Sequence, residues 1–380
     1  MKIGSGRVML NAQYVDFGIL GGDSVSKEAS GRRMNKHNLN EEISQELLFE
    51  VLENQATLDA VRVFLRDKKL SHSASSWKQM IEDRIEPALS SGAITRNDLI
   101  GIIREAEEHG NKHVRLFHFG TDYLDSIRGA IKLEAVSAWA KDKGFPGTGE
   151  YLFAAYPTHP VVTEVRIGDG GDTDALVVKT ARTEYRRKRG VLTEVAGQEV
   201  YLAPRVRFRA VDVLKIRRDG LVEVRLSPRA EHPISYSGTA NAMLKQVNGL
   251  VETTLISELS LSTAKNSFSD LQKKQEVSEN FDLYEAQHRN DRGDRIQSSS
   301  QAEQGGILKS SVMTEVIKQF TVGDPEAYCE KVRVSYYFGK VKRINAILSE
   351  DINEIIFTAG LSRDEYDEVL DAIIKVNSEE

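Results

Sequence analysis

The sequence predicts an α+β protein: an N-terminal small helical domain, a central mixed α/β domain with a basic β-hairpin, and a C-terminal α/β segment. Three observations carry that expectation. Apolar residues recur three and four apart over the stretch that begins with Ile43, Leu47, Leu48, Val51 and Leu52, the period of a helix with one buried face. After the breaker cluster Phe145-Pro146-Gly147-Thr148-Gly149 the period falls to two, as in strands. Asp219-Gly220 then joins two β-rich runs, a hairpin signal. A chain of 380 residues exceeds one ordinary core. The expected organisation is an extension over 1–40, a helical domain over 41–145, a central basic α/β domain over 146–261, a polar linker or insertion over 262–311, and an acidic α/β segment over 312–380.

In chain order, residues 1–40 are rich in Gly, Ser and Asn, with a short apolar run from Val8 to Leu20. Helices are expected from Asn40 onward, over Leu58 to Leu65, over Trp77 to Leu89, and after Thr95-Arg96-Asn97-Asp98, which has a capping pattern. Another covers Asp122 to Lys143. Strands are expected over Val161 to Ile167, Ala175 to Thr180, Glu199 to Leu202, Arg205 to Ile216 and Leu221 to Leu226. Asn241 to Leu261 returns to helical spacing. Ser262 to Ser311 is polar and reads mostly as linker. A helix over Val312 to Phe320, strands over Lys331 to Phe338, Lys342 to Leu348 and Glu354 to Thr358, and a last helix opened by the capping box Ser362-Arg363-Asp364-Glu365 complete the chain.

Composition excludes several classes. Hydrophobic residues make up 40% and charged residues 28%, unlike collagen-like or wholly disordered chains. No apolar run approaches the about eighteen residues of a membrane span. A single cysteine, Cys329, permits no internal disulfide and no cysteine-based zinc site. Met1 to Leu20 lack the apolar core and cleavage site of a secretion signal, so the expected location is cytoplasmic (nucleoid-associated) or nuclear.

The net charge of −6 hides an asymmetry. Between Lys179 and Arg229 fourteen Lys or Arg face six Asp or Glu, a local +8, which leaves −14 for the rest. Ser349 to Glu380 carries ten acids against Arg363 and Lys375. The cluster Arg186, Arg187, Lys188 and Arg189 precedes the hairpin strand Arg205 to Ile216. In a strand alternate residues share a face, so Arg205, Arg207 and Arg209 are expected to form one exposed row, with Val206 and Phe208 turned to the core. Lys215, Arg217, Arg218 and Arg225 extend the basic hairpin. Arginine's planar fork suits phosphate oxygens and its flat face stacks on bases.

The segment Val61 to Leu89 resembles the SAP motif, a helix, loop and helix found in DNA-binding proteins, through Leu65, Leu70, Met80, Ile81, Arg84 and Ile85, with Ser71, Ser73 and Ser75 in the loop. It departs from the motif at Lys69, where a glycine is usual, at Ala74, the loop glycine, and at Ser76, where a lysine opens the second helix. The resemblance implies DNA contacts near Lys68, Lys69 and Lys78. The overall layout is similar to that of the centromere protein N family, with its closest stretch at Asp98 to Phe119. That likeness implies DNA gripped between a helical and a basic α/β domain.

Other constellations are bland. His109, His113 and His118 cluster, but Gly110-Asn111 interrupts the helical spacing a metal would need. Asp212 followed by Glu223-Val224-Arg225 imitates the carboxylate order of a metal-dependent nuclease, with arginine where lysine is needed. Gly168-Asp169-Gly170-Gly171-Asp172 lacks the residues that complete a P-loop or an EF-hand. No metal and no cofactor is implied.

The expectation from sequence is therefore a non-enzymatic nucleic-acid-binding protein that clamps double-stranded DNA through backbone contacts, with RNA as the other candidate nucleic acid and no membrane partner. Chromosome maintenance and anti-phage defence both suit such a protein. The acidic C-terminal helix is expected to meet the basic surface, in cis or across a homodimer. The alternatives are a divalent-metal nuclease built on Asp212 and Glu223, and a protein-interaction scaffold using Asn241 to Leu261.

Overall fold

The computed structural model describes residues 43–169, 172–187, 190–195, 198–229, 235–270, 280–300, 306–339 and 342–378. The extension 1–40, Lys188 and Arg189, and Gly170 and Gly171 lie outside them. The fold is α+β.

Five helical pieces come first: α1 (Gln45–Gln55), α2 (Leu58–Asp67), α3 (Trp77–Met80), α4 (Glu86–Ser90) and α5 (Arg96–His109). Ser44, Thr57, Ser76 and Thr95 cap α1, α2, α3 and α5 by accepting a backbone N–H from three residues on. Thr95 and Asp98 form the full capping box. Leu48, Leu52, Leu65, Met80, Ile85, Leu99 and Ile103 make the helical core. Between α3 and α4, Ile81–Ile85 forms a π-helical turn. Pro87 at the start of α4 has no N–H to donate to the turn before it, and the wider ring absorbs that loss.

Eleven strands of the described residues form one sheet, in the order β10-β9-β11-β12-β13-β1-β7-β6-β3-β2, with β8 beside β1. They are β1 (Lys112–Phe119), β2 (Val161–Asp169), β3 (Asp172–Arg187), β6 (Arg205–Ile216), β7 (Leu221–Leu226), β8 (Ile256–Glu258), β9 (Phe281–Arg289), β10 (Arg295–Ser299), β11 (Tyr328–Phe338), β12 (Lys342–Leu348) and β13 (Glu354–Phe357). Between β3 and β6, β4 (Val191–Val195) and β5 (Gln198–Leu202) form a separate hairpin.

Helices cover both faces of this sheet. On one lie α5, α9 (Ser262–Ser269), α10 (Ser311–Gly323) and α11 (Arg363–Ser378). There Val114, Leu116, Val332, Ala346, Ile355 and Phe357 pack with Phe268, Ile317, Tyr366, Val369 and Ile373. On the other lie α6 (Leu124–Ala130), α7 (Leu133–Asp142) and α8 (Tyr236–Gln246), packed on Phe117, Leu214, Ile216, Val222 and Val224.

The structure corrects three expectations. Lys112–Phe119 is a strand inside the stretch read as helical, held between β7 and β13. Buried on both faces, it shows no clean alternation to read. Residues 281–289 and 295–299, placed within the polar linker, are β9 and β10. Their outward side chains, Glu285, Gln287 and Arg289, made them look like linker, while Phe281, Leu283 and Ala286 enter the core. The helix expected over Asn241 to Leu261 ends at Gln246. Gly249 has a positive φ of 90°, and the chain then runs on to β8. The apolar residues of α8, Ala240, Met243 and Leu244, are buried against the sheet, so the face proposed for a protein partner is used internally.

Candidate nucleic-acid interface

Asp219 and Gly220 make the β6–β7 turn as expected, with Gly220 at φ 90° and the Leu221 N–H donating to Asp219 Oδ1 at 3.0 Å. Cross-strand pairs Lys215–Glu223 and Val213–Arg225 set the register. The basic residues nonetheless do not form one continuous surface. They separate into an exposed end, a buried middle and a far turn.

The exposed end is a ribbon of β3 and β6 with Arg187 opposite Arg205, Arg186 opposite Val206 and Tyr185 opposite Arg207. Arg187, Arg205 and Arg207 are exposed and Arg186 is half-buried. Aromatic rings interleave with the guanidinium groups. Arg186 lies 5.1 Å from the Phe208 ring centre, Arg205 4.6 Å from Tyr185 and Arg207 4.1 Å from Tyr156. Such stacking fixes the planar groups while leaving their edges able to donate. Helix α1 steadies the base of the ribbon: Arg186 donates to Asn54 Oδ1 at 3.2 Å, and Glu50 lies 3.8 Å from Arg207.

The buried middle overturns the expected exposure of Arg209, Lys215 and Arg225. Alternation holds, but past Arg207 the strand runs beneath α5. Arg209 is fully buried with its Nη1 2.9 Å from Glu107 Oε1, and Tyr151 donates to the other Glu107 oxygen at 3.0 Å. Arg225 donates to Glu223 at 3.0 and 2.7 Å and lies 4.1 Å from the Tyr366 ring centre, while the Tyr366 hydroxyl donates to Glu223 at 3.0 Å. Lys215 Nζ is 4.0 Å from Glu223. Nearby, Glu108 accepts from Arg166 at 3.0 and 2.7 Å, and Glu164 accepts from Arg104 and Arg166 and pairs with Lys179 at 3.3 Å.

Burial by itself would raise the carboxyls of Glu108, Glu164 and Glu223. The facing cations, Lys179 for the first two and Arg225 for the third, instead hold all three below the usual range. Lys112 is the counter-case. Burial pushes its ammonium down to about 7, and Nζ donates to the Val211 carbonyl at 2.6 Å and to Ser227 Oγ at 3.0 Å.

The far turn carries Arg217 and Arg218, at the other end of a twelve-residue strand and so roughly 35 Å from Arg205. Arg217 is paired with Asp219 at 3.1 Å and Asp371 at 3.0 Å. Thus an acid of the C-terminal helix meets the hairpin in cis, at this turn. Its neighbour Glu365 pairs with Lys342, also away from the ribbon.

Among the remaining sequence candidates, Lys68 pairs with Asp98 at 3.2 Å, Lys78 lies 4.0 Å from Glu82, and Lys69 is exposed. Lys68 and Lys69 stand where α2 gives way to the loop and Lys78 lies in α3, and the helix–loop–helix order matches the expected segment. Lys69, standing where a glycine is usual, has φ 59°, the left-handed region that favours glycine. Arg84 holds the loop by donating to the Ser73 carbonyl at 2.9 Å.

The nuclease candidates do not converge. Asp212 lies on the α8 face, accepting from the Ser227 N–H at 2.9 Å and pairing with Arg182, whereas Glu223 lies on the α5 face. The odd spacing along the hairpin puts them on opposite sides of the sheet. His109 ends α5, His113 stacks on Tyr236 with ring centres 3.9 Å apart, and His118 lies further along β1. Among the described residues no three His, Cys, Asp or Glu are grouped to hold a metal.

Sequence reading missed Glu107, Glu108 and Tyr151, the partners that neutralise the buried cations. Nothing in the sequence signalled them, because adjacent acids about 100° apart on a helix fit a solvated face as readily as a buried one. Comparison of the chain with protein-family models, with curated proteins and with solved structures gives no match. No helix among the described residues is long and apolar enough to cross a membrane.

Proposed function

We propose that this protein is a non-enzymatic nucleic-acid binder that grips double-stranded DNA through its backbone, using the end of the β3–β6 ribbon. The convergence of Arg186, Arg187, Arg205 and Arg207 on one ribbon end carries the reading. A two-stranded ribbon fits the major groove of B-DNA, about 12 Å wide, whereas the major groove of A-form RNA is too narrow for it. Guanidinium groups at an exposed ribbon end suit phosphate contacts, and such contacts position a protein without reading sequence.

Fluorescence anisotropy with a labelled duplex, the same single strand and a double-stranded RNA tests it. Four phosphate contacts give a log–log salt slope of about −3.6 on duplex DNA. The double variant Arg205→Glu/Arg207→Glu is expected to abolish binding while remaining folded. Charge reversal at Lys68, Lys69 and Lys78 tests the helical domain as the second contact of the grip, a loss of affinity in the folded variant supporting it. Absent or salt-independent binding by the intact protein overturns the proposal.

A further inference from the structure

The two outer strands of the large sheet end differently. At β2 the chain covers its own edge: Gly149 and Leu152 donate backbone N–H groups to the Val165 and Thr163 carbonyls, each at 2.8 Å. At β10 nothing among the described residues does so. The Asn290 N–H donates to the Asp294 carbonyl at 3.1 Å and the Ser300 N–H to the Tyr284 carbonyl at 2.9 Å. Antiparallel alternation between these two bonds turns the backbone groups of Ile296 and Ser298 toward β9 and those of Arg295, Gln297 and Ser299 outward. An open edge is a template for another strand, and folds ordinarily guard it with lysine or proline. Here the only charged residue of β10, Arg295, donates to Glu330 of β11 at 3.1 Å.

Helix α10 runs beside this edge and carries an apolar seam. Ile317 enters the core, while Glu315, Lys318 and Val322 line the gap toward α9. The helical period then leaves Val312, Val316 and Phe320 together on the side away from α9. Val312 is 70% and Val316 45% exposed, and Phe320 is half-buried. Three solvent-facing apolar side chains in a row beside an open strand edge mark an interaction site.

Symmetry and charge select the occupant. The outward residues Arg295, Gln297 and Ser299 are spaced evenly about Gln297, and Val312, Val316 and Phe320 evenly about Val316, so the surface fits itself through a two-fold axis. Antiparallel pairing of two β10 strands sets Arg295 opposite Ser299, and like charges do not meet. Arg289 lies beside Arg295 and Glu285 beside Ser299 in the β9–β10 register. The arginine end, where two cations share the one Glu330 carboxylate, thus abuts the Glu285 end of the other copy. Helix α10 lies over the outermost strands, about one strand spacing from such an axis, which puts the two helices about 10 Å apart, a packing distance. Thirteen helical residues and a five-residue edge give a face of about 20 Å by 20 Å, near the low end for specific pairs, so the affinity belongs in the micromolar range.

We propose that the chain forms a two-fold homodimer through this face. Strand β10 pairs antiparallel with β10 of the second copy and α10 packs on α10, so that the two sheets become one.

Sedimentation velocity of the full chain from about 1 to 200 µM is expected to show a monomer–dimer equilibrium with Kd below about 50 µM. Gln297→Pro removes an outward N–H that the monomer does not use, and Val316→Lys adds a charge at an exposed position. Each is expected to raise Kd at least about tenfold. Should the proline change unfold the chain, Val316→Lys and a cross-link still decide. Gln297→Cys sets two thiols across the axis at the about 5.5 Å Cα separation of a hydrogen-bonded pair, and mild oxidation is expected to give a linked dimer on a non-reducing gel. Wild type, whose Cys329 is buried, should stay unlinked. A monomer at about 200 µM, association unchanged in the folded Pro and Lys variants, or no cross-link through residue 297 overturns the proposal.

Discussion

Arg207 and Arg209 are two residues apart on one strand face, yet their environments differ completely. Arg207 is half in solvent over Tyr156, and Arg209 is sealed against Glu107. Truncating Arg209 leaves a buried carboxylate without its cation, so Arg209→Ala is expected to lose about 3–5 kcal/mol in urea denaturation. Arg207→Ala is expected to stay within about 0.5 kcal/mol. A double replacement, Arg209→Met/Glu107→Leu, should recover most of the loss, because the desolvation cost disappears with both charges. Equal effects of the two single truncations would contradict the burial described. Reversing Arg205, Arg207 and Arg209 together is accordingly an unfolding change, and binding is better probed at Arg205 and Arg207 alone.

Lys112 makes a pH prediction at the same scale. Its ammonium is depressed to about 7 in the fold from an ordinary 10.5, so the unfolded chain holds the proton more tightly. Above pH 10.5 the residue imposes no penalty; the penalty grows as pH falls toward about 7 and is constant below. Stability should therefore gain from this residue as pH rises between those limits, by at most about 1.4 kcal/mol per unit. Lys112→Met should remove that component, and the Val211 carbonyl still accepts from Ser227 Oγ at 2.8 Å. A variant with the wild-type pH profile in denaturation would refute the assignment.

At the level of elements, turns and helix interiors respond oppositely to one methyl group. Gly220 sits at φ 90°, and a Cβ there would come 2.7 Å from Leu124 Cδ2. Gly220→Ala is thus expected to cost about 1–2 kcal/mol by straining the hairpin and pushing α6 away. Gly101 lies on the exposed side of α5 with nothing within 4 Å of a Cβ, and Gly101→Ala should stabilise by up to about 1 kcal/mol. Thermal melting of the two variants should move in opposite directions. Legibility at this scale followed exposure. The caps at Thr95 and Ser362, the Asp219-Gly220 turn and the last helix are local chemistry, and the sequence shows them plainly. β1 and β9 were obscured because a central strand has no polar face and an outer strand's polar face resembles linker.

For the molecule as a whole, the basic window is the instructive case. Its +8 is a property of the chain, and the sequence by itself determined that fourteen cations fall between Lys179 and Arg229, as it determined the α+β class, the caps and the hairpin. Those are set by neighbours in the chain, through spacing, turn chemistry and alternation. Only the tertiary structure decided which cations reach solvent. Glu107 and Glu108 approach from a helix far earlier in the chain and neutralise Arg209, Arg166 and Lys179, while Arg186, Arg187, Arg205 and Arg207 remain on the ribbon. His288 and Cys329 likewise meet only because β9 pairs with β11. Charge and partner are separable in sequence because Coulomb attraction depends on distance through space, and that distance is fixed by which strands and helices pack together.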